Sequence, residues 1–311
     1  MPRRLVPLIM LLLVLFGGGV QAQQDSTYVK RFNNRGRVNG GVRYGTRQAT
    51  LRTSAGEQLR LSNSGVDFRI GGRYKWASYT FSIPLVDLTD TEGREQGKSF
   101  GLGLRLYQPQ FYFRTRFRTT RGFAIEQSGE NNFREDVRLF TSSIFAYYVL
   151  NHRRFSVRSS FNQRDRQLKN QGSLLLGALA NYQRLKSDGL LAPRASGDIG
   201  EIQRFAQSEF GLNAGYTYTL VFGAKNKGFI TPLLVGGPEV RLTTIEETGR
   251  NRERENIRID FQYRAQLSIG RNGNRNFLAL ILEYIPGLDQ TDALETRSRQ
   301  LTAEIRLGRR F

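Results

Sequence analysis

Apolar and polar residues alternate one for one along most of the chain, in runs longer than soluble proteins normally use. That pattern constrains the fold more than any other feature. In the clearest run Ile257, Ile259, Phe261, Tyr263, Ala265, Leu267 and Ile269 are interleaved with Arg258, Asp260, Gln262, Arg264, Gln266 and Ser268. A period of two places the two sets on opposite faces of a β-strand. Phe111, Phe113 and Phe117 alternate likewise with Tyr112, Arg114, Arg116 and Arg118, and Val66, Phe68, Ile70, Tyr74 and Trp76 with Asp67, Arg69, Arg73 and Lys75. Phe155, Val157 and Phe161 alternate with Ser156, Arg158, Ser160, Asn162 and Arg164. A soluble sandwich also alternates, but its strands average about five to six residues. A strand tilted through a bilayer needs ~9 to 11, apolar side chains toward lipid and polar ones toward the lumen. Recurrent runs of that length predict an all-β fold, an antiparallel transmembrane β-barrel.

The N-terminus fits export. Arg3 and Arg4 precede an unbroken apolar run from Leu5 to Phe16, and Val20-Gln21-Ala22 supplies small residues for cleavage after Ala22. About twelve apolar residues are too few to span a hydrocarbon core that needs ~20. The expected division is a signal peptide over 1–22, an N-terminal extension over 23–37 and an outer-membrane barrel over 38–311. The chain has no cysteine, which excludes disulfides, thiolate metal sites and a lipoprotein anchor. Its formal charge of +20 falls to +18 once Arg3 and Arg4 leave with the signal. In the cytoplasm such a surplus would suggest nucleic acid; an exported chain meets lipopolysaccharide phosphates and lipid head groups instead, so no nucleic-acid partner is expected.

Gly223-Ala224-Lys225-Asn226-Lys227-Gly228 and Arg271-Asn272-Gly273-Asn274-Arg275 read as tight polar hairpins, and the polar stretches 86–98, 119–136, 185–207 and 243–255 as loops. Tyr147, Tyr148, Tyr216, Tyr218 and Tyr284 lie near strand ends, where interfacial aromatics belong. In the final strand Leu301, Ala303, Ile305, Leu307 and Phe311 share one face. A terminal Phe311 resembles the signal by which barrel-assembly machinery recognises its substrates, with Arg309 a departure. Thirteen candidate strands emerge, near 38–53, 58–74, 76–85, 99–107, 110–118, 137–150, 154–164, 171–184, 208–222, 228–241, 256–270, 276–286 and 298–311. Single-chain bacterial barrels have even numbers, so twelve are expected, with fourteen the alternative. The weakest candidate is 38–53, where Gly40 and Gly41 interrupt the alternation and Asn39, Arg43 and Arg47 add little lipid-facing surface.

Phe155-Ser156-Val157-Arg158-Ser159-Ser160-Phe161-Asn162-Gln163, followed by Gln167 and Gly172-Ser173, together with Tyr74-Lys75-Trp76 leading into Ser82-Ile83-Pro84, resembles a Bacteroidetes family of outer-membrane barrels catalogued as domain of unknown function 4421. The likeness runs from about residue 36 to the C-terminus. It implies the barrel and names no activity.

A catalytic set is hard to assemble. His152 is the only histidine and sits in the polar turn Asn151-His152-Arg153-Arg154. Ser156, Ser159 and Ser160 are the serines it would have to activate, and a solvated turn histidine is the simpler reading. Glu246, Glu247, Glu253 and Glu255 alternate with arginines, unlike a calcium cage, and Gly71-Gly72 and Gly101-Leu102-Gly103 read as strand glycines rather than a phosphate loop. No cofactor or metal is expected. The informative residues are arginines. Arg69, Arg73, Arg114, Arg116, Arg118, Arg158, Arg164, Arg258 and Arg264 would all face a cationic lumen, either open to anionic solutes or filled by pairing with Asp67, Asp260, Glu283, Gln262 and Asn162.

The leading expectation is a non-enzymatic barrel, structural or passing or binding anionic or amphiphilic ligands, among outer-membrane lipid and lipopolysaccharide. The alternatives are an outer-membrane enzyme acting on lipid or lipopolysaccharide through His152, and a soluble periplasmic β protein that binds an apolar ligand.

Overall fold

In the computed structural model the chain is an up-and-down meander that closes on itself. The structure describes residues 24–34, 36–53, 58–74, 77–88, 98–127, 130–189, 202–247, 253–290 and 294–311; the expected signal peptide lies outside them. A short strand β1 (Val29–Arg31) precedes β2 (Gly36–Thr53), β3 (Gln58–Tyr74), β4 (Ala77–Asp87), β5 (Lys98–Tyr107), β6 (Phe111–Gln127) and β7 (Glu130–Val149). A helical turn α1 (Val157–Ser160) and a short strand β8 (Asp165–Gln167) follow. The chain then continues through β9 (Gln171–Lys186), β10 (Ile202–Phe222), β11 (Gly228–Glu247), β12 (Glu253–Asn272), β13 (Asn276–Gln290) and β14 (Leu294–Arg310). Twelve antiparallel strands form the closed barrel, β14 pairing back onto β2 from Leu294↔Thr53 to Arg310↔Arg37. β1 and β8 form a separate two-stranded sheet.

The alternation sets which face points where. Val38, Phe68, Phe81, Leu176, Leu212, Leu234, Ile259 and Leu307 turn outward and are exposed, while Arg37, Asp67, Ser82, Thr217, Glu239 and Arg306 turn inward and are buried. An apolar exterior around a polar interior is the inverse of a soluble domain and is what hydrocarbon solvent demands. The strands outrun the membrane: β11 has 20 residues, which at ~3.3 Å each and ~40° tilt rises about 50 Å against a hydrocarbon core of ~30 Å.

The surplus length lies at the long-loop end, opposite both described termini. There the outward face changes from apolar side chains to exposed cross-strand ion pairs, Arg60–Glu126 at 3.6 Å, Arg121–Glu135 at 3.8 Å and Arg204–Glu246 at 2.5 Å. This corrects the polar stretches 119–136, 185–207 and 243–255 read as loops, since β6, β7, β10, β11 and β12 all run into them. Polar residues face outward there because the strands have left the lipid. The inward face does the reverse. Leu59, Leu61, Phe123, Ile125, Val137, Phe205 and Ile245 form a buried cluster inside the mouth. Gly122, with φ +86°, makes this change of polarity available to β6. The register shifts between Arg121 and Phe123, so the inward set passes from Arg116, Arg118 and Thr120 to Phe123 and Ile125. A bulge with a left-handed glycine is the usual device for such a switch. Above the short β4–β5 hairpin β3 and β6 pair directly, Leu59↔Gln127 to Ser62↔Ala124, and keep the wall continuous.

The count of twelve holds, yet the surplus candidate was 154–164 rather than 38–53. The latter is the full-length strand β2, in which Gly41 sits where neighbouring backbone passes close: a Cβ there would lie 2.4 Å from the Ile305 carbonyl oxygen. Residues 154–164 leave the wall altogether.

Candidate functional site

Residues 150–170 fold back into the barrel at the short-turn end and close it. Ser156 is extended, after which Val157–Ser160 make one helical turn, so Phe161 stacks four positions beyond Val157 rather than alternating with it. Phe155, Val157 and Phe161 pack against Tyr112, Phe145, Tyr147, Val149, Leu175, Leu179, Leu233 and Val235 of the inner wall. Polar groups of the wall reach the plug's backbone. Ser268 Oγ donates to the Ser160 carbonyl at 2.9 Å, Asn272 Nδ2 to those of Ser159 at 2.9 Å and Asp165 at 2.6 Å, and Arg310 Nε to that of Gln163 at 3.2 Å. Thr231 Oγ1 donates to Ser160 Oγ at 2.6 Å, and Arg306 Nη1 to the Phe161 carbonyl at 3.3 Å. The extension joins in, with β1 paired to β8 and Gln24 accepting from Arg158 Nη2 at 2.9 Å.

Arg158 therefore belongs to the plug, ion-paired with Asp165 at 2.6 Å, and Arg164 lies on it too, its backbone N–H bonded to the Arg158 carbonyl. Neither stands on a strand of the wall, because the run that suggested so is a helical turn. His152 sits in the turn before the plug, its Nδ1 3.1 Å from the Val149 carbonyl. The serines set beside it bond elsewhere: Ser156 Oγ donates to Asp165 at 2.8 Å, Ser159 Oγ to the Ser156 carbonyl at 2.7 Å, and Ser160 meets Thr219 at 3.3 Å.

Above the plug the predicted arginines form a lattice in which each acid serves several guanidinium groups. Asp67 accepts from Arg43 and Arg118. Glu304 accepts from Arg69 and from Arg306, the latter at 2.7 Å. Glu283 accepts from Arg114 at 3.2 Å and Arg116 at 3.2 Å, with Arg264 at 3.9 Å. Arg105 borders the same small void, about 20 Å³, as Arg43, Arg69, Arg114 and Arg306. At the short-turn end Arg73 donates to the Asn34 carbonyl. Of the wall arginines expected inside, only Arg258, opposite Arg241 of β11, is exposed. Arg37, Arg43, Arg47, Arg105, Arg241, Arg306 and Arg310 were missed. The alternation Ile305-Arg306-Leu307 carried that signal for Arg306, while the first three were lost with the discounted strand.

Between lattice and mouth lies a cavity of about 210 Å³ with a zoned wall. Ala49, Leu61, Phe123, Leu139, Leu185 and Phe205 line it on the side of the apolar cluster, with Gln183 and Gln207 beside them; Arg47, Arg116, Arg241, Arg264, Asn181, Asn213, Gln262 and Glu239 give the rest most of its polar groups, among Phe145, Tyr147, Leu179 and Val235. Arg241 is committed to Glu239 and Asp260. Arg264 lies with its guanidinium 4.5 Å from the Phe145 ring centre and donates from Nη2 to the Tyr147 hydroxyl at 3.2 Å. Its Nε and Nη1, the Gln262 Nε2, the Asn181 and Asn213 Oδ1 and the Glu239 Oε2 have no hydrogen-bond partner, though all are buried. Buried polar atoms are ordinarily satisfied, so a group of them on one cavity wall marks where a polar ligand group or ordered water completes the set.

The family model described as domain of unknown function (DUF4421) matches residues 23–311. The chain belongs to this family. In this DUF4421 barrel the segment that carried the resemblance is the plug itself; of Tyr74-Lys75-Trp76, Tyr74 ends β3, and Lys75 and Trp76 lie outside the described residues. No curated protein matches the chain. Among solved structures it is similar to the translocator domain of autotransporter NalP from Neisseria meningitidis, with a TM-score of 0.47 and 13% identity over 90% of each chain. It is also similar to the outer membrane protease OmpT from Escherichia coli, with a TM-score of 0.44 and 8% identity over 90% of this chain and 97% of that one. These likenesses extend to a closed barrel and no further.

Proposed function

We propose that this DUF4421 barrel lies in an outer membrane with its short turns and plug toward the periplasm, and that it binds an anionic amphiphile in the cavity above the plug. The observation that carries this reading is the cavity's zoning. Leu61, Phe123, Leu139, Leu185 and Phe205 offer an apolar wall, and on β12 Arg264 Nε and Nη1 and Gln262 Nε2 are donor atoms without a hydrogen-bond acceptor. An acyl chain against the first and an anionic head against the second would satisfy both. Glu209, Glu239 and Asp260 share Arg241, but Arg47, Arg116, Arg264 and Arg299 also line the cavity, and this excess of arginines over acids supports a negative head group. The plug and the arginine lattice close the lumen below, which favours binding over passage.

The test is a titration of the protein in nanodiscs with dansyl-labelled undecanoate, whose emission rises in an apolar site. Saturable one-to-one binding is expected, with competition by an anionic amphiphile and much weaker competition by an uncharged one of equal chain length. Indifference to head-group charge, or no saturable binding, would defeat the proposal.

A further inference from the structure

The barrel wall is unzipped beside the cavity. β12 pairs with β13 only from Ala265↔Tyr284 to Asn272↔Phe277. Beyond that point β12 continues along β11 as far as Glu246↔Glu253, and β13 continues along β14 as far as Gln290↔Glu295. Among the described residues the two strands have no ladder partners on each other over 253–264 and 285–290, so the wall divides into a V that widens toward the long-loop end. The sequence gives reasons for the split. Continuing the register would set Pro286, which has no N–H to donate, against Tyr263, and would bring Asp289 level with Asp260.

The free edge is amphipathic across its width. Its outward residues Ile257, Ile259 and Phe261 are exposed by 70%, 76% and 67% and present apolar side chains to lipid. Its inward residues run Arg258, Asp260, Gln262 and Arg264, from an exposed arginine level with Arg241 of β11 to Arg264 in the cavity, whose Nε and Nη1 have no hydrogen-bond partner. Gln262, Tyr263, Arg264, Ile285 and Pro286, the residues at the apex of the V, all line that cavity. Backbone donors and acceptors left open at hydrocarbon depth are costly unless water or a polar group meets them, and a lipid head group drawn to the seam would do so.

From this geometry we infer that the seam between β12 and β13 is a lateral portal by which an amphiphile of the surrounding membrane reaches the cavity, its head following the Arg258-to-Arg264 track while its chain stays on the apolar side. This rests on the amphiphile reading above and adds the source of the ligand, the membrane rather than the solution beyond the mouth.

The experiment uses the full mature chain in nanodiscs containing phosphatidylglycerol with a photoactivatable group near the end of its acyl chain. After illumination, labelled peptides are mapped. Labelling is expected on the inward residues Leu185 and Phe205 as well as on the outward Leu234. Tyr263→Cys with Pro286→Cys, in a chain that has no other cysteine, permits a disulfide that draws the two strands together. Oxidation should cut labelling of Leu185 and Phe205 at least tenfold, leave Leu234 unchanged, and be reversed by reduction. Pro286→Trp fills the seam without a disulfide and should act in the same direction. Boiling-dependent gel mobility checks that each variant is a folded barrel. Interior labelling that persists in both closed-seam variants would overturn the portal. Absent interior labelling in the wild type, with dansyl-undecanoate still binding from solution, would overturn the portal and leave the cavity reading standing; absence of both would overturn the two together.

Discussion

Phe155→Ala is the substitution that most sharply separates the plug from the barrel around it. Phe155 is completely buried and packs among eight aromatic and aliphatic residues of the wall and two of its own segment. Removing a buried phenyl ring costs about 3–5 kcal/mol once the cavity left behind is included. That cost falls on the plug, because the strands keep their ladders when the segment lifts. The plug retains its polar anchors to Arg37, Thr231, Ser268, Asn272, Arg306 and Arg310, each contributing ~1 kcal/mol net, so it should remain seated most of the time while opening far more often. At 1.4 kcal/mol per tenfold, opening becomes roughly a hundred to several thousand times more frequent. Hydrogen exchange reads this directly. The amides of Ser159, Phe161 and Arg164, bonded within the plug, should accelerate by that factor, while barrel amides such as those of β10 and β11 keep their rates. Unchanged exchange in the plug, or uniform acceleration across plug and barrel, would refute the view that residues 150–170 are a separately seated insertion.

Other substitutions test the lattice, the mouth and the cavity. Asp67→Asn leaves Arg43 and Arg118 without their shared carboxylate and should destabilise the barrel by about 3–5 kcal/mol, read as a lower temperature for the shift in gel mobility. Gly122→Val forces a β-branched residue to φ +86°, costing ~1–3 kcal/mol; the loss should localise to exchange near Arg121–Ile125 and the facing end of β7. Arg264→Met keeps the length of the side chain and removes its charge. Binding of dansyl-undecanoate should weaken by about 2 kcal/mol, roughly thirtyfold, with little change for an uncharged analogue.

Alternation made the barrel legible because membrane-crossing strands must separate lipid-facing from lumen-facing residues at every step. Arg69, Arg114, Arg116, Arg118 and Arg264 could be placed inside from that rule alone. It failed where the surroundings changed. Above the membrane Arg121, Glu126 and Arg204 face water on regular strands, so polarity was mistaken for a loop. In the plug, Phe155 and Val157 are two apart but Val157 and Phe161 are four apart, and so short a run fits a strand or a helical turn equally well. β2 looked weak because Gly40 interrupts its outward face and Gly41 its inward one, the latter where neighbouring backbone passes close. The cavity was out of reach, since its wall is drawn from strands distant in the chain and Phe123 enters its apolar half only through the register switch at Gly122. The seam was equally hidden, because pairing register is a property of two strands and not of either one.

The most direct test of the account is native mass spectrometry of the protein released intact from detergent after purification from membranes. The account predicts a one-to-one adduct with the mass of an anionic amphiphile, lost in a folded Arg264→Met, Phe205→Asp double variant. A bare protein mass in the wild type, or an adduct that survives in the double variant, would contradict it.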